Sequence, residues 1–366
     1  MLVFHTPLSL LHNPPHEILS GCVQPYFESP ERYFRILTTL LKSTAFEGRT
    51  LEWPVEEVVT EEVLEAIRPV HDERYLAFLA EIYDEWIAEG GSKDAALPET
   101  FLRSDLLLEE GGVGSQKDGA VARIGRHSFD LSAPVTANTW IAAVASTRVA
   151  LEALDTLTAD GTAQATFALC RPPGHHATDS LCGGYCYLNS AAIAARHFQR
   201  SSKGDKPRVA ILDIDYHHGN GTSKIFYDDP TVLYVSLHGS PDYPYYTGSE
   251  AERGGPKARG MNINYPLALG TNDVDYLTAL EKATDDVRRF EPDLLVVSLG
   301  VDTYIDDPLT NFKVTLAAYP EMGKLIARVG VKTLFVMEGG YYLDAIGYCV
   351  RGVLEGFREE GRRRQT

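Results

Sequence analysis

Apolar residues recur at helical spacing in three early stretches of the chain. Phe34, Ile36, Leu37 and Leu40 form a stripe over residues 31–42, and a second short helix is predicted over 61–67. Tyr75, Leu76, Phe78, Leu79 and Ile82 predict a third over 71–85, and an Ala/Leu-rich stretch predicts a longer helix over 140–157. Residues 2–5 read as a short strand. From residue 166 the pattern changes to short apolar, β-branched runs at 166–170, 208–214, 231–237, 294–299 and 333–337, with helical or loop segments between most of them. That alternation predicts an α/β fold, with a mainly parallel sheet covered by helices on both faces. Between residues 90 and 134 the periodicity fails in favour of Gly, Ser, Asp and Glu, over a length too great for an ordinary connection. This stretch is expected to be a lid or a dimer interface. No repeat or linker divides the chain, so a single domain over 1–366 is expected.

Composition narrows the class without naming a chemistry. A chain of 366 residues that is 44% hydrophobic and 23% charged suits a soluble globular enzyme. Its formal charge of −17 argues against nucleic-acid backbones and anionic membranes as partners and favours a cationic ligand. The first residues lack a basic segment followed by an apolar one, and no apolar run is long enough to span a bilayer, so a cytoplasmic protein is expected. The five cysteines (Cys22, Cys170, Cys182, Cys186 and Cys349) show no paired metal-site spacing and are expected to be buried, reduced thiols. Residues 361–366, rich in arginine, read as a frayed, solvated end.

Candidate chemistry concentrates where the strand-like runs stop. In open α/β sheets ligands lie beyond the carboxyl ends of the strands. The first run is followed by Arg171-Pro-Pro-Gly-His-His176 and the second by Asp215-Tyr-His-His218. The third leads to His238, the fourth to Gly300-Val-Asp302, and the fifth to Glu338-Gly-Gly-Tyr341. Asp213, Asp215 and His217 alternate by two, so all three are expected to point to one face at the C-terminal end of the second run. Asp215, His217 and Asp302 offer two carboxylates and one imidazole, enough for an open tetrahedral zinc site whose ligands neutralise a divalent ion. Such a site still needs a proton acceptor and an oxyanion donor, and His175, His176 and Tyr341 fit those needs.

Arg171-Pro-Pro-Gly-His-His-Ala177, Gly184-Tyr-Cys-Tyr-Leu-Asn189, Asp213-Ile-Asp-Tyr-His-His-Gly-Asn-Gly221, Ser298-Leu-Gly-Val-Asp-Thr303 and Glu338-Gly-Gly-Tyr341, in that order, resemble the motifs of the histone deacetylase and acetylpolyamine amidohydrolase superfamily. Pro25-Tyr-Phe-Glu-Ser-Pro30, Ala133-Pro-Val-Thr-Ala-Asn-Thr-Trp140 and Tyr265-Pro266 are closest to its acetylpolyamine amidohydrolases, which are class II-like deacetylases. The resemblance implies an arginase-deacetylase fold around an eight-stranded parallel sheet. It makes Asp215, His217 and Asp302 ligands of Zn2+, with Fe2+ as the alternative metal. It makes His176 the general base and acid, His175 an electrostatic partner oriented by Asp213, and Tyr341 the donor to the substrate carbonyl. It places Gly184, Tyr185 and Tyr246 on the wall of an acyl tunnel. It also implies a structural K+ ion at Asp213, Asp215, His217, Ser236 and Leu237, and a second near Phe226, Asp229 and Val232.

The implied activity is removal of acetyl groups from N-acetylated polyamines or similar small cationic amides by a homodimer. A protein lysine deacetylase and a catalytically silent acyl-ligand binder are the alternatives. Two positions depart from the wider family. Asn220 stands where many class I deacetylases have an Asp, and no acidic gatekeeper can be assigned among Glu109, Glu110 and Asp118. The related two-manganese arginase chemistry lacks its bridging acids, because Gly219 and Gly300 occupy those positions.

Overall fold

A computed structural model describes residues 1–103, 119–201 and 206–364. In chain order it contains β1 (Leu2–His5), a hairpin of β2 (His16–Leu19) and β3 (Cys22–Pro25), α1 (Glu31–Leu41), β4 (Glu47–Thr50), α2 (Glu61–Ile67), α3 (Glu73–Ala88), α4 (Ala120–His127), α5 (Thr139–Ala159) and β5 (Ala165–Ala168). These are followed by α6 (Ser190–Ser201), β6 (Val209–Asp213), α7 (Asn220–Phe226), β7 (Val232–Gly239), β8 (Asn262–Leu267), α8 (Asp273–Phe290), β9 (Leu294–Leu299), α9 (Ala318–Ala327), β10 (Thr333–Met337) and α10 (Ile346–Arg363). Eight strands form one parallel sheet in the order β4-β1-β5-β10-β9-β6-β7-β8.

The period-two alternation of a strand divides the core in two. Ile211, Tyr234, Val296 and Val336 face a layer that includes α2, α3, α5 and α6, whereas Leu212, Val235, Val297 and Phe335 face α1, α8, α9 and α10. Because both faces of the central strands are covered, β6, β9 and β10 are buried at every position, which is why they read as unbroken apolar runs. The edges read differently. Strand β4 is Glu-Gly-Arg-Thr, and β8 carries Pro266, so neither has the pattern of a central strand.

Several expectations require correction. The irregular stretch over 90–134 contains α4, and its residue Ala96 pairs with Val135, just beyond it, as an isolated bridge. Residues 104–118, with Glu109, Glu110 and Asp118, lie outside the described residues. Cys22 is exposed on the β2–β3 hairpin while the other four thiols are buried. The basic end does not fray at residue 361, because α10 continues through it and Arg364 Nη1 donates to the Ala327 carbonyl at 3.0 Å. Among the described residues no helix is long and apolar enough to cross a membrane.

Candidate active site

Four adjacent central strands, β5, β10, β9 and β6, run in the same direction and deliver their following loops to one end of the sheet. Those loops carry His175 and His176, Tyr341, Asp302, and Asp215 with His217. Long-range register therefore brings together residues that lie as far apart as 175 and 341 in the chain.

Asp215, His217 and Asp302 are buried, and one ligand atom from each lies within 4.8 Å of the others. His217 Nδ1 stands 3.0 Å from Asp302 Oδ2 and 3.3 Å from Asp215 Oδ1. The strand stops at Asp213, so the alternation expected for 213, 215 and 217 does not persist. Asp213 turns back instead, accepting from the Asp215 N–H at 3.2 Å, and takes no part in the triad.

The chemistry of the triad suits a cation. Burial and the charge of Asp215 push the Asp302 carboxyl up to about 6. Burial also disfavours the ionised form of Asp215, but His175 and His217 outweigh it and hold that carboxyl below the usual range. Burial would depress His217, yet its bonds to Asp215 and Asp302 drive it up to about 10. Two carboxylates and one imidazole at this spacing form a donor set that a divalent ion would fit. Room for close approach comes from glycine. A Cβ on Gly300 would lie 2.0 Å from Asp215 Oδ2, and one on Gly339 would lie 2.6 Å from the same atom.

The two histidines ahead of the triad differ in partner and therefore in charge. His175 Nδ1 donates to Asp213 Oδ2 at 3.1 Å, and Tyr234 Oη donates to the same oxygen at 2.9 Å. Burial opposes protonation of His175, but Asp215 and Asp213 prevail and lift it to about 10. His176 Nδ1 donates to the neutral Asn220 Oδ1 at 2.7 Å. Burial, reinforced by His175 and His217, holds His176 well below its ordinary value, so its Nε2 is free to accept a proton.

Tyr341 sits in a turn anchored from two sides. Its N–H donates to Asp307 Oδ2 at 2.7 Å, and the Arg32 guanidinium lies 5.0 Å from its ring centre. Arg32 also donates to the carbonyls of Gly340 at 2.7 Å and Glu338 at 2.5 Å, and pairs with Glu28. Burial raises the Tyr341 phenol well above its ordinary value, so it remains an O–H donor at neutral pH. Glu338 Oε2 accepts the N–H groups of Gly174 and His175 at 2.7 and 3.1 Å, linking the histidine loop to the tyrosine loop.

A pocket of about 240 Å³ leads to this end of the sheet and is lined by His176, His217, Tyr185, Tyr243, Leu309 and Tyr341 among others. Gly184 and Tyr185 lie on its wall as expected, both at positive φ (55° and 65°). Tyr246 does not. It is 93% exposed, and Tyr243, three residues earlier, takes the wall position because its hydroxyl is drawn inward by Asp130 at 2.6 Å. Ser236 lies opposite Asp213 in the β6–β7 register, and its hydroxyl contacts His238 Nδ1 at 2.9 Å. Leu237 is buried beside it. At the second expected ion position the Asp229 carboxylate is occupied by Arg196, Lys206 and Thr231, while the Phe226 carbonyl accepts the Asp229 N–H and the Asp229 carbonyl accepts that of Val232. His238 is satisfied by Ser236 and by the Gly248 carbonyl and stays out of the triad.

Sequence reasoning missed Arg32, Asp130, Tyr243 and Asp307. Only Arg32 left a signal: it lies four residues before Ile36 and eight before Leu40, on the buried face of α1.

The histone deacetylase domain pattern matches residues 26–357. Acetylpolyamine amidohydrolase 2 of Pseudomonas aeruginosa is 41% identical over 362 residues, covering 98% of each chain. The acetylpolyamine amidohydrolase of Mycoplana ramosa is 38% identical, covering 94% of this chain and 96% of the relative. The crystal structure of acetylpolyamine aminohydrolase from Burkholderia pseudomallei superposes with a TM-score of 0.86 at 36% identity, covering 98% of this chain and 99% of that one. The parallel sheet and its two helical layers are thus those of the arginase-deacetylase fold. With the paired histidines, the acid–imidazole–acid triad and the tyrosine turn all at one end of that sheet, the chain belongs to the histone deacetylase family.

Proposed function

We propose that this protein is a zinc-dependent amidohydrolase that removes acetyl groups from N-acetylated polyamines or similar small cationic amides, releasing acetate. The buried Asp215–His217–Asp302 triad at the foot of a tyrosine-walled pocket carries the reading, and four amidohydrolase relatives at 38–41% identity direct it toward acetylated amines. Asp215, His217 and Asp302 would hold the ion, which supplies Lewis acidity when bound, polarising an amide carbonyl and acidifying a water.

The remaining chemistry belongs to the chain. His176 Nε2 takes the proton of the attacking water as the new C–O bond forms. Tyr341 Oη donates to the carbonyl oxygen as it gains negative charge. The same His176 then returns the proton to the amine nitrogen as the C–N bond breaks, leaving acetate and free amine. His175, kept cationic by Asp213 and Asp215, adds positive charge beside His176 without exchanging protons with substrate. A structural K+ at Asp213, Asp215, His217, Ser236 and Leu237 belongs to the same reading.

The deciding experiment is a comparison of kcat/KM for acetylputrescine, acetylspermidine and an acetyl-lysine peptide after reconstitution with Zn2+ or Fe2+. The diamine and triamine should be preferred by at least about tenfold. A preference for the peptide would assign a protein lysine deacetylase instead. Absence of turnover with stoichiometric metal bound would leave only an acyl-ligand binder.

A further inference from the structure

Two of the tyrosine rings that line the pocket, Tyr185 and Tyr243, have hydroxyls engaged by carboxylates that do not themselves line the cavity. Tyr185 Oη donates to Glu17 Oε2 at 2.8 Å, and Tyr243 Oη donates to Asp130 Oδ2 at 2.6 Å. Asp130 reaches both walls. The same Oδ2 accepts the Gly184 N–H at 3.1 Å, and Oδ1 accepts the N–H and hydroxyl of Ser132 at 2.9 Å each. Gly184 has no slack: a Cβ there would lie 2.2 Å from His176 Cδ2 and 2.8 Å from Tyr243 Oη. One carboxylate therefore sets the separation of the two walls at the depth of the general base.

Among the described residues no cation neutralises this carboxylate. Among the described residues every donor to Asp130 is a neutral N–H or O–H, and no Lys or Arg forms an ion pair with Asp130 or with Glu17. No Lys or Arg lines the pocket, and the acid that does, Asp242, is bonded by Tyr216 Oη, the Tyr243 N–H and Asn311. A phenol that donates to a carboxylate presents a more electron-rich ring face, the surface that attracts an alkylammonium chain.

We propose that Asp130 is a specificity-determining residue, which clamps Gly184 to Tyr243 and supplies a negative charge that selects amides bearing a cationic alkyl chain. The proposal rests on the amidohydrolase reading and deepens it, placing selectivity in the described wall of the tunnel.

The test uses full-length, metal-loaded enzyme and two substrates, acetylputrescine and N-pentylacetamide, in which a methyl group replaces the ammonium. Asp130→Asn should lower the ratio of kcat/KM for the cationic over the neutral amide by about fivefold or more, mainly through KM of the cationic substrate. Tyr243→Phe, which loosens the clamp and removes one of the two polarised phenols but keeps the carboxylate, should lower both values and reduce the ratio by less than Asp130→Asn does. If Asp130→Asn does not fold, Asp130→Glu against Asp130→Gln repeats the comparison with charge as the difference, and the Glu variant should keep the higher ratio. An unchanged ratio, or equal losses on both substrates, would overturn the proposal and leave Asp130 a purely structural residue. Failure of the wild-type enzyme to hydrolyse either amide is a separate outcome that removes the amidohydrolase reading and this proposal together.

Discussion

In the proposed mechanism Tyr341 depends on Arg32, a side chain that holds its turn without lining the pocket. The Tyr341 phenol is kept protonated by burial, and in the proposed mechanism it donates to the developing oxyanion. Replacing it with Phe should cost about 10²–10³ in kcat, the usual effect of losing one such donor, with metal content unchanged. Parallel measurement of turnover and zinc stoichiometry checks this; unaltered kcat would remove Tyr341 from the mechanism. Arg32 holds the turn through two carbonyls and pairs with the fully buried Glu28, so its planar fork matters as well as its charge. Arg32→Lys should therefore lower kcat by about tenfold or more while KM moves less, and should lower Tm, because Glu28 is left imperfectly paired in the interior. A variant with wild-type kcat and a reduced Tm would show that Arg32 serves stability alone. The triad acids were legible because each follows an apolar run, and Arg32 could have been read as a charge on an apolar stripe. Tyr243 could not, since the segment Asp242-Tyr-Pro-Tyr-Tyr246 offers three tyrosines to one wall and it is the contact with Asp130, more than a hundred residues away, that draws the hydroxyl of the first inward.

At the scale of elements, the central strands β9 and β10 were predicted to the residue because a strand buried on both faces has a single reading. Strands β4 and β8 were not, since an edge strand is polar, or broken by proline, for the same reason that it sits at the edge. Helix pairing is equally hidden in sequence. Where α9 crosses α10 the backbones touch: a Cβ on Gly356 would lie 1.9 Å from the Pro320 carbonyl oxygen, and one on Gly323 the same distance from that of Val353. Gly356→Ala gains about 1 kcal/mol in helix propensity, but no rotamer relieves a clash with backbone, and overpacking of this kind costs about 1–3 kcal/mol. The clash should win. Thermal unfolding should show a lower Tm with near-normal kcat at low temperature, since this contact lies away from the strand ends that carry the site. A raised Tm would mean that α9 and α10 can separate without cost.

For the whole molecule, the segment that carries Tyr185 is joined to the layer outside it by a buried histidine. His71, between α2 and α3, accepts the Asn189 N–H on Nε2 at 2.9 Å, and Asn189 in turn donates to Ala177 and Thr222 and accepts from Ala192 in the first turn of α6. Protonating Nε2 would abolish that acceptor. Burial therefore pushes the His71 pKa down to about 4, against an ordinary value of 6.5. Between those values the unfolded chain binds a proton that the folded chain refuses, so stability rises with pH across this window. The contribution is fully present above 6.5, is lost progressively as pH falls, and levels off near 4, for a total of about 3 kcal/mol. His71→Gln should be less stable than wild type at about pH 7 yet lose less on acidification. Denaturant midpoints for both proteins at about pH 7 and about pH 5 would check the sign and the size. Parallel losses in the two proteins would place the acid sensitivity in other groups, whereas a shallower loss in the variant would assign it to this one imidazole and to the tie it makes between the tunnel wall and the helical layer behind it.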